Sequence, residues 1–233
     1  MQLVAGEAGF EVDWRAVTER LDRDGFASLG RLLDPASCGL VAEWFDDDAR
    51  FRSTIEMARH GYGEGRYRYF ADPLPEAVAQ LRQVLYAGLA PVANGWAERL
   101  GEPRRFPPTH GAFQEICRQA GQTRPTPLLL RYGPGGHNRL HQDLYGDLVF
   151  PIQVVVLLDR PGDAFEGGEF VLVEGRARQQ SRAHVVPLAQ GEALAFAVAK
   201  WPSPRGRAVL RHGVATIRAG HRRTLGLIFH DSK

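Results

Sequence analysis

The 233-residue sequence contains only two cysteines, Cys38 and Cys117, far apart and outside any C-x-x-C spacing. That argues against a disulfide framework or a thiolate zinc site and makes a reducing compartment the expected one. Lysine is almost absent: Lys200 and Lys233 are the only two among 29 basic side chains, the rest being arginine. Neither charge is in excess, since 27 acidic side chains leave a formal net charge of +2. A histone-like chain or a polybasic membrane binder would need a far larger imbalance. Long hydrophobic runs are also missing. The longest, Leu148 to Leu158, contains Gln153 and is about half of what a bilayer span requires. Met1 to Val17 carries Glu7, Glu11 and Asp13 and has no apolar stretch of the signal-peptide kind. A soluble cytoplasmic protein without membrane partners is expected.

The composition is that of a folded globular chain, with 44% hydrophobic and 24% charged residues. No repeat, low-complexity tract or linker divides it, so one domain over residues 1–233 is expected. Its first part, 1–124, reads as mainly helical support. Asp34-Pro35 is an N-cap followed by proline at the first helical position, opening an amphipathic run through Trp44. Val12 to Leu21, Pro75 to Leu100 with a bend at Pro91, and His110 to Ala120 are further helices. Phe51 to Phe70 reads as irregular. The second part, 125–233, reads as short strands rich in Val, Leu and Phe, separated by clusters such as Gly133-Pro134-Gly135-Gly136. Those strands are Pro127–Tyr132, Leu148–Leu158, Glu169–Glu174, His184–Pro187, Ala193–Val198, Ala208–His212 and Thr224–His230. No helical pattern separates them, so an α+β chain with antiparallel strands in a sandwich or barrel is the expected class.

The chemistry-bearing residues lie in this second part. In His141-Gln142-Asp143 an imidazole and a carboxylate stand at i and i+2, a spacing that puts both on one side of an extended chain. The motif alone is common. Further on, His212 ends an expected strand, and ten residues beyond it Arg222 and Thr224 again stand at i and i+2. Two imidazoles and one carboxylate on three corners of an octahedron leave three positions open, as a non-haem Fe(II) oxygenase requires. A guanidinium beside a hydroxyl can grip the distal carboxylate of a dicarboxylic cosubstrate.

Over Leu128 to His230 the sequence resembles the Fe(II)/2-oxoglutarate-dependent dioxygenase superfamily, in particular its prolyl-hydroxylase-like branch. The residues carrying the resemblance are Tyr132 and Gly135 leading into His141-Gln142-Asp143, the Gly167-Gly168-Glu169-Phe170 strand start, and His212 with Arg222 at +10. The resemblance implies a double-stranded β-helix, a jelly-roll or cupin-like pair of sheets, with N-terminal supporting helices. It also implies Fe(II) on His141, Asp143 and His212, with 2-oxoglutarate and O2 as cosubstrates. Arg222 would hold the far carboxylate, aided by Thr224 or Tyr132, and 2-oxoglutarate would be decarboxylated to succinate as a substrate C–H bond is hydroxylated. Tyr132 reads equally as a core tyrosine. His221 and Arg223 flank Arg222 and face away from it by strand parity.

The substrate is less legible. Arg59 to Phe70, with Tyr62 and above all Arg66, Tyr67 and Arg68, interleaves arginine with aromatics, a composition that suits single-stranded nucleic acid but also a half-exposed edge strand. His137 and Arg139 either line a pocket mouth or sit in a solvated turn. The basic loop around Trp201, from Lys200 to Arg207, is placed to act as a lid. Three readings follow: oxidative dealkylation of N-alkylated nucleic-acid bases, hydroxylation of a protein side chain or small molecule, or a non-catalytic barrel sensing iron or 2-oxoglutarate. Against the first, the chain lacks the second downstream arginine, within an Asn-x-Thr-x-Arg run, of the well-defined alkylated-base demethylases.

Overall fold

The computed structural model describes residues 11–233, and most of the stretch bearing on a signal peptide lies outside them. Four α-helices occur among these residues: α1 (Trp14–Asp24), α2 (Pro35–Glu43), α3 (Glu76–Leu100) and α4 (His110–Gln119). The strands are β1 (Phe26–Arg31), β2 (Phe51–Glu56), β3 (Gly63–Glu64), β4 (Arg66–Phe70), β5 (Leu128–Tyr132), β6 (His137–His141), β7 (Ile152–Leu157) and β8 (Phe165–Gly167). They continue with β9 (Phe170–Gly175), β10 (Arg182–Val186), β11 (Glu192–Ala197), β12 (Lys200–Ser203), β13 (Gly206–Val214), β14 (Ile217–Gly220) and β15 (Arg222–Leu227). No helix among the described residues is long and apolar enough to cross a membrane.

Local chemistry accounts for the helix boundaries. The Asp34 carboxylate accepts the Ser37 N–H at 2.7 Å, and Pro35 opens α2 where a missing donor costs nothing. Asp13 caps α1 in the same way through the Ala16 N–H at 3.0 Å. Pro91 lies inside α3 without ending it.

Seven strands form one sheet in the order β1-β11-β7-β15-β5-β4-β2. The facing sheet runs β10-β9-β13-β6-β3, with β12 attached to β13, and β8 pairs separately with β14. Every ladder is antiparallel. This is a double-stranded β-helix. At its centre all six residues of β7 are buried, because the strand lies between β11 and β15.

Three expectations need correction. Residues 1–124 are not only helical support: β1 extends the large sheet at one edge, β4 and β2 extend it at the other, and β3 joins the facing sheet. Phe51 to Phe70, expected to be irregular, holds β2, β3 and β4, with a short 3-10 turn at Met57–His60 between β2 and β3. In β4, Tyr67 and Tyr69 share one face, with Tyr67 lining the central cavity, while Arg66 and Arg68 take the other, Arg66 exposed and Arg68 buried. Lys200 to Arg207 is likewise no open lid. It forms the β12 arm and the turn into β13, with Trp201 opposite Ala208 and buried against Trp96 of α3 at 6.1 Å between rings. Burying an indole outweighs exposing it on a mobile loop.

Two buried histidines make the fold acid-sensitive. His110 donates from Nε2 to the Phe229 carbonyl at 2.9 Å, and His230 accepts the Phe150 N–H on Nδ1 at 3.2 Å. Burial, together with the nearby Arg82 guanidinium, pushes each down to about 3. Between the ordinary histidine value of ~6.5 and about 3, the unfolded chain binds the extra protons, so stability falls as pH falls. Each histidine is expected to remove up to about 1.4 kcal/mol per pH unit across that window. Urea unfolding at pH 7, 6 and 5 measures the slope, and a pH-independent midpoint would refute the assignment.

Candidate metal centre and cosubstrate pocket

The space between the sheets is a cavity of about 430 Å³ whose walls include His141, Asp143, His212, Tyr132, Arg222 and Thr224. His141 ends β6 and lies directly opposite His212 on β13, so the two rings come within 4.1 Å between centroids. Asp143 follows just beyond the end of β6, with its carboxylate brought beside His141. His141 Nε2 is 3.5 Å from Asp143 Oδ1, and His212 Nε2 is 3.4 Å from Oδ2. One ligand atom from each residue lies within 4.8 Å of the others. His141 Nδ1–H donates to the Arg139 carbonyl at 2.7 Å, which leaves the Nε2 lone pair free on the carboxylate side. Buried His212 packs against Phe196 and Phe170 at 4.8 and 6.0 Å.

Electrostatics prepare the cluster for a cation. Burial alone would raise the Asp143 carboxyl, but the hydrogen bond and charge of His212, with His141 and the Tyr145 hydroxyl, hold it below the usual carboxylate range. Burial and the neighbouring His212 push His141 down, so its imidazole is neutral at pH 7. An ionised carboxylate and a neutral imidazole are the states a metal needs.

Arg222 is the second feature. It is 2% exposed, stands opposite Tyr132 across β15 and β5, and has no hydrogen-bond partner on Nε or Nη1. Burial lowers it to about 10, still charged at neutral pH. A buried cation without an anion is costly, and one carboxylate entering the cavity would satisfy it. Gly168 makes room for its stem: the glycine has φ +64°, and a Cβ there would lie 2.9 Å from Arg222 Cδ. The Tyr132 hydroxyl accepts the Asn138 side-chain N–H at 3.3 Å and keeps its own proton to donate, and Thr224 is buried two residues beyond Arg222. Both residues therefore lie in the cavity with the guanidinium. Donor set and unpaired charge fit a ferrous ion and a dicarboxylate.

The substrate-side expectations fare unevenly. Tyr67 and Arg139 line the cavity. Arg68 turns to the opposite face, where it bonds Thr54, Asp48 and the Phe45 carbonyl under the Phe51 ring. Arg66 pairs with Glu56 on the surface, because strand parity gives it the face of Arg68. His137 bonds the Gly135 carbonyl and stays outside the cavity, and Trp201 belongs to the core. His221 is exposed and Arg223 pairs with Asp159, both turned from Arg222. Sequence reasoning passed over Tyr145, read Asn138 as turn chemistry and named Tyr62 only within the Arg59 to Phe70 segment; all three line the cavity, with Tyr62 exposed. Parity was the available signal for Tyr145, which stands two residues after Asp143.

Comparison with known proteins agrees with this geometry. The profile of the Oxygenase-NA family, described as "oxygenase, catalysing oxidative methylation of damaged DNA", matches residues 65–232. An uncharacterized protein of Mycobacterium tuberculosis is 44% identical over 167 residues, covering 70% of this chain and 72% of its own. Three solved structures are each 18% identical. A Pseudomonas putida prolyl-4-hydroxylase has a TM-score of 0.55, covering 91% of this chain and 96% of that one. A Burkholderia pseudomallei oxidoreductase of the 2OG-Fe(II) oxygenase family has 0.56, with 95% and 94%. A Trichoplax adhaerens prolyl hydroxylase, solved with a hypoxia inducible factor oxygen degradation domain peptide fragment, has 0.56, with 94% and 89%. Fold, motifs and family place the protein among the 2-oxoglutarate/Fe(II) oxygenases. Within that superfamily, the chain belongs to the Oxygenase-NA family.

Proposed function

We propose that this enzyme, acting as one oxygenase domain, uses Fe(II), 2-oxoglutarate and O2 to hydroxylate an alkyl carbon on a damaged DNA base, after which the alkyl group leaves as an aldehyde. One observation carries the reading: two imidazoles, a carboxylate and a buried, unpaired guanidinium share one cavity. His141, Asp143 and His212 would hold the iron, and Arg222, with Thr224 and Tyr132, the far carboxylate of 2-oxoglutarate. When bound, the pair supplies the oxidising power for an unactivated C–H bond, with succinate and carbon dioxide as coproducts. The chain's own residues orient and shield. Met57, Leu130, Phe170 and Phe196 keep the inner wall apolar, and Tyr67 lines it toward the entrance.

The substrate class rests on the family description together with the mouth. Tyr62 is 49% exposed and stacks on His60 at 5.3 Å, and exposed Arg139 lies beside it. An exposed aromatic with a free guanidinium suits a base and its phosphate. The test begins with anaerobic Fe(II) and 2-oxoglutarate, watching for the visible charge-transfer band. It continues in air with N-methylated and unmethylated single-stranded oligonucleotides and a proline-containing peptide. Formaldehyde and succinate are expected in equal amounts from the methylated strand alone. Tyr62→Ala should raise its KM about fivefold or more, for a stacking contact worth roughly 1–3 kcal/mol. Turnover with the peptide alone would move the substrate to a protein side chain, and binding without succinate would mark a sensor.

A further inference from the structure

A hydroxyl chain that the roles above leave unused runs from Asp143 and Tyr145 in the cavity wall to Tyr69. Tyr145 donates to Asp143 Oδ1 at 2.8 Å, and the Tyr69 and Tyr145 hydroxyl oxygens are 3.1 Å apart. Since the Tyr145 proton points to the carboxylate, its oxygen accepts from Tyr69. Tyr69 belongs to β4 of the large sheet, whereas Tyr145 and Asp143 lie in the irregular segment between β6 and β7. The Arg52 guanidinium lies over the Tyr69 ring at 4.7 Å, and the Tyr67 ring meets Tyr69 edge-on at 5.5 Å, so the strand end of the chain is held. The segment bearing Asp143 has no ladder of its own, and this chain ties it to the opposite sheet.

We propose that Tyr145, buttressed by Tyr69, is a positioning residue that commits one oxygen of Asp143 to a hydrogen bond and so restricts the carboxylate to one-oxygen metal coordination. A carboxylate with both oxygens free can chelate and take a second position on the ion, one that this chemistry needs open for its cosubstrates. Oδ1 is engaged by the phenol, and Oδ2 faces His212. Outer partners of this kind set both the orientation and the affinity of a ligand. The inference rests on the metal-site reading above and adds the residues that orient its carboxylate.

The experiment is an anaerobic Fe(II) titration of the full chain, wild type against Tyr145→Phe, Tyr69→Phe and Asp143→Ala, with the visible spectrum of the Co(II)-loaded proteins as a second readout. Each Phe variant keeps the ring and removes one oxygen. Tyr145→Phe is expected to weaken Fe(II) binding about 10- to 100-fold, and Tyr69→Phe by less in the same direction. The Co(II) bands should change in Tyr145→Phe as the released oxygen moves onto the ion, a change that mere loss of stability would not produce. If Tyr145→Phe does not fold, graded loss of affinity in Tyr69→Phe still supports the chain, and wild-type affinity there overturns it. Fe(II) binding within twofold of wild type and unchanged Co(II) bands in both Phe variants, with binding lost in Asp143→Ala, would overturn the positioning role alone. Undiminished binding in Asp143→Ala would overturn the metal site itself, and this inference with it.

Discussion

Asp143→Ala is expected to abolish Fe(II) binding at micromolar metal and to take turnover with it. The other two ligands, His141 and His212, are imidazoles, which bind a metal only without the extra proton, and without the carboxylate the site offers no negative charge to a divalent ion. The wild-type carboxyl lies below its usual range despite burial, because His212, His141 and Tyr145 all favour the ionised form. His141 is held down by burial, so protons compete for the site only in more acid solution than for an ordinary histidine. From pH 8 to ~6.5, where an exposed histidine is already half protonated, the His141 contribution to iron affinity should therefore fall less than an ordinary histidine's would. Metal analysis of the purified variants, with anaerobic titration across that range, gives the answer. Stoichiometric iron retained in both His141→Ala and Asp143→Ala would remove the assignment of these side chains to the metal.

Arg222→Leu should leave iron binding in place and raise the KM for 2-oxoglutarate. The guanidinium is buried and lacks a partner for Nε and Nη1, so these donors are available to an incoming carboxylate. A charge-assisted contact contributes roughly 1.5–3 kcal/mol, about tenfold to over a hundredfold in affinity. Leucine fills the buried space without introducing a polar group, which separates the binding effect from a folding effect. Arg222→Lys should recover only part of the loss, because a point charge cannot reproduce the planar fork. Since burial places Arg222 at about 10, the wild-type KM should rise as pH approaches that value and the charge is lost. An unchanged KM in Arg222→Leu would put the cosubstrate anchor elsewhere.

Much of the site was legible because its residues recur at spacings with direct geometric meaning. His141 and Asp143 share a side by two-residue parity, as do Arg222 and Thr224, and most of β13 and β15 could be read from apolar composition and flanking turns, although β15 begins at Arg222 and not at Thr224. The same parity argument was available for Arg66 to Tyr69 and was obscured by composition. Arginine between tyrosines suggests one mixed binding strip, but a strand sends the two residue types to opposite faces. Trp201 misled for a different reason. A basic, proline-rich neighbourhood predicts a surface loop, and nothing local reveals that α3 supplies Trp96 to cover the indole.

By itself the sequence determined the antiparallel β class, the helix cap at Asp34, and the metal and cosubstrate candidates. Each depends on neighbours within a few residues or on a motif of recognisable spacing. Only the tertiary structure decided that β1 to β4 complete the two sheets, that Arg68 and Trp201 are structural, and that Tyr69 reaches Tyr145 from the opposite sheet. Those outcomes depend on which strand edges meet and which surfaces are covered, and pairings between residues some 76 positions apart leave no periodic trace in the chain.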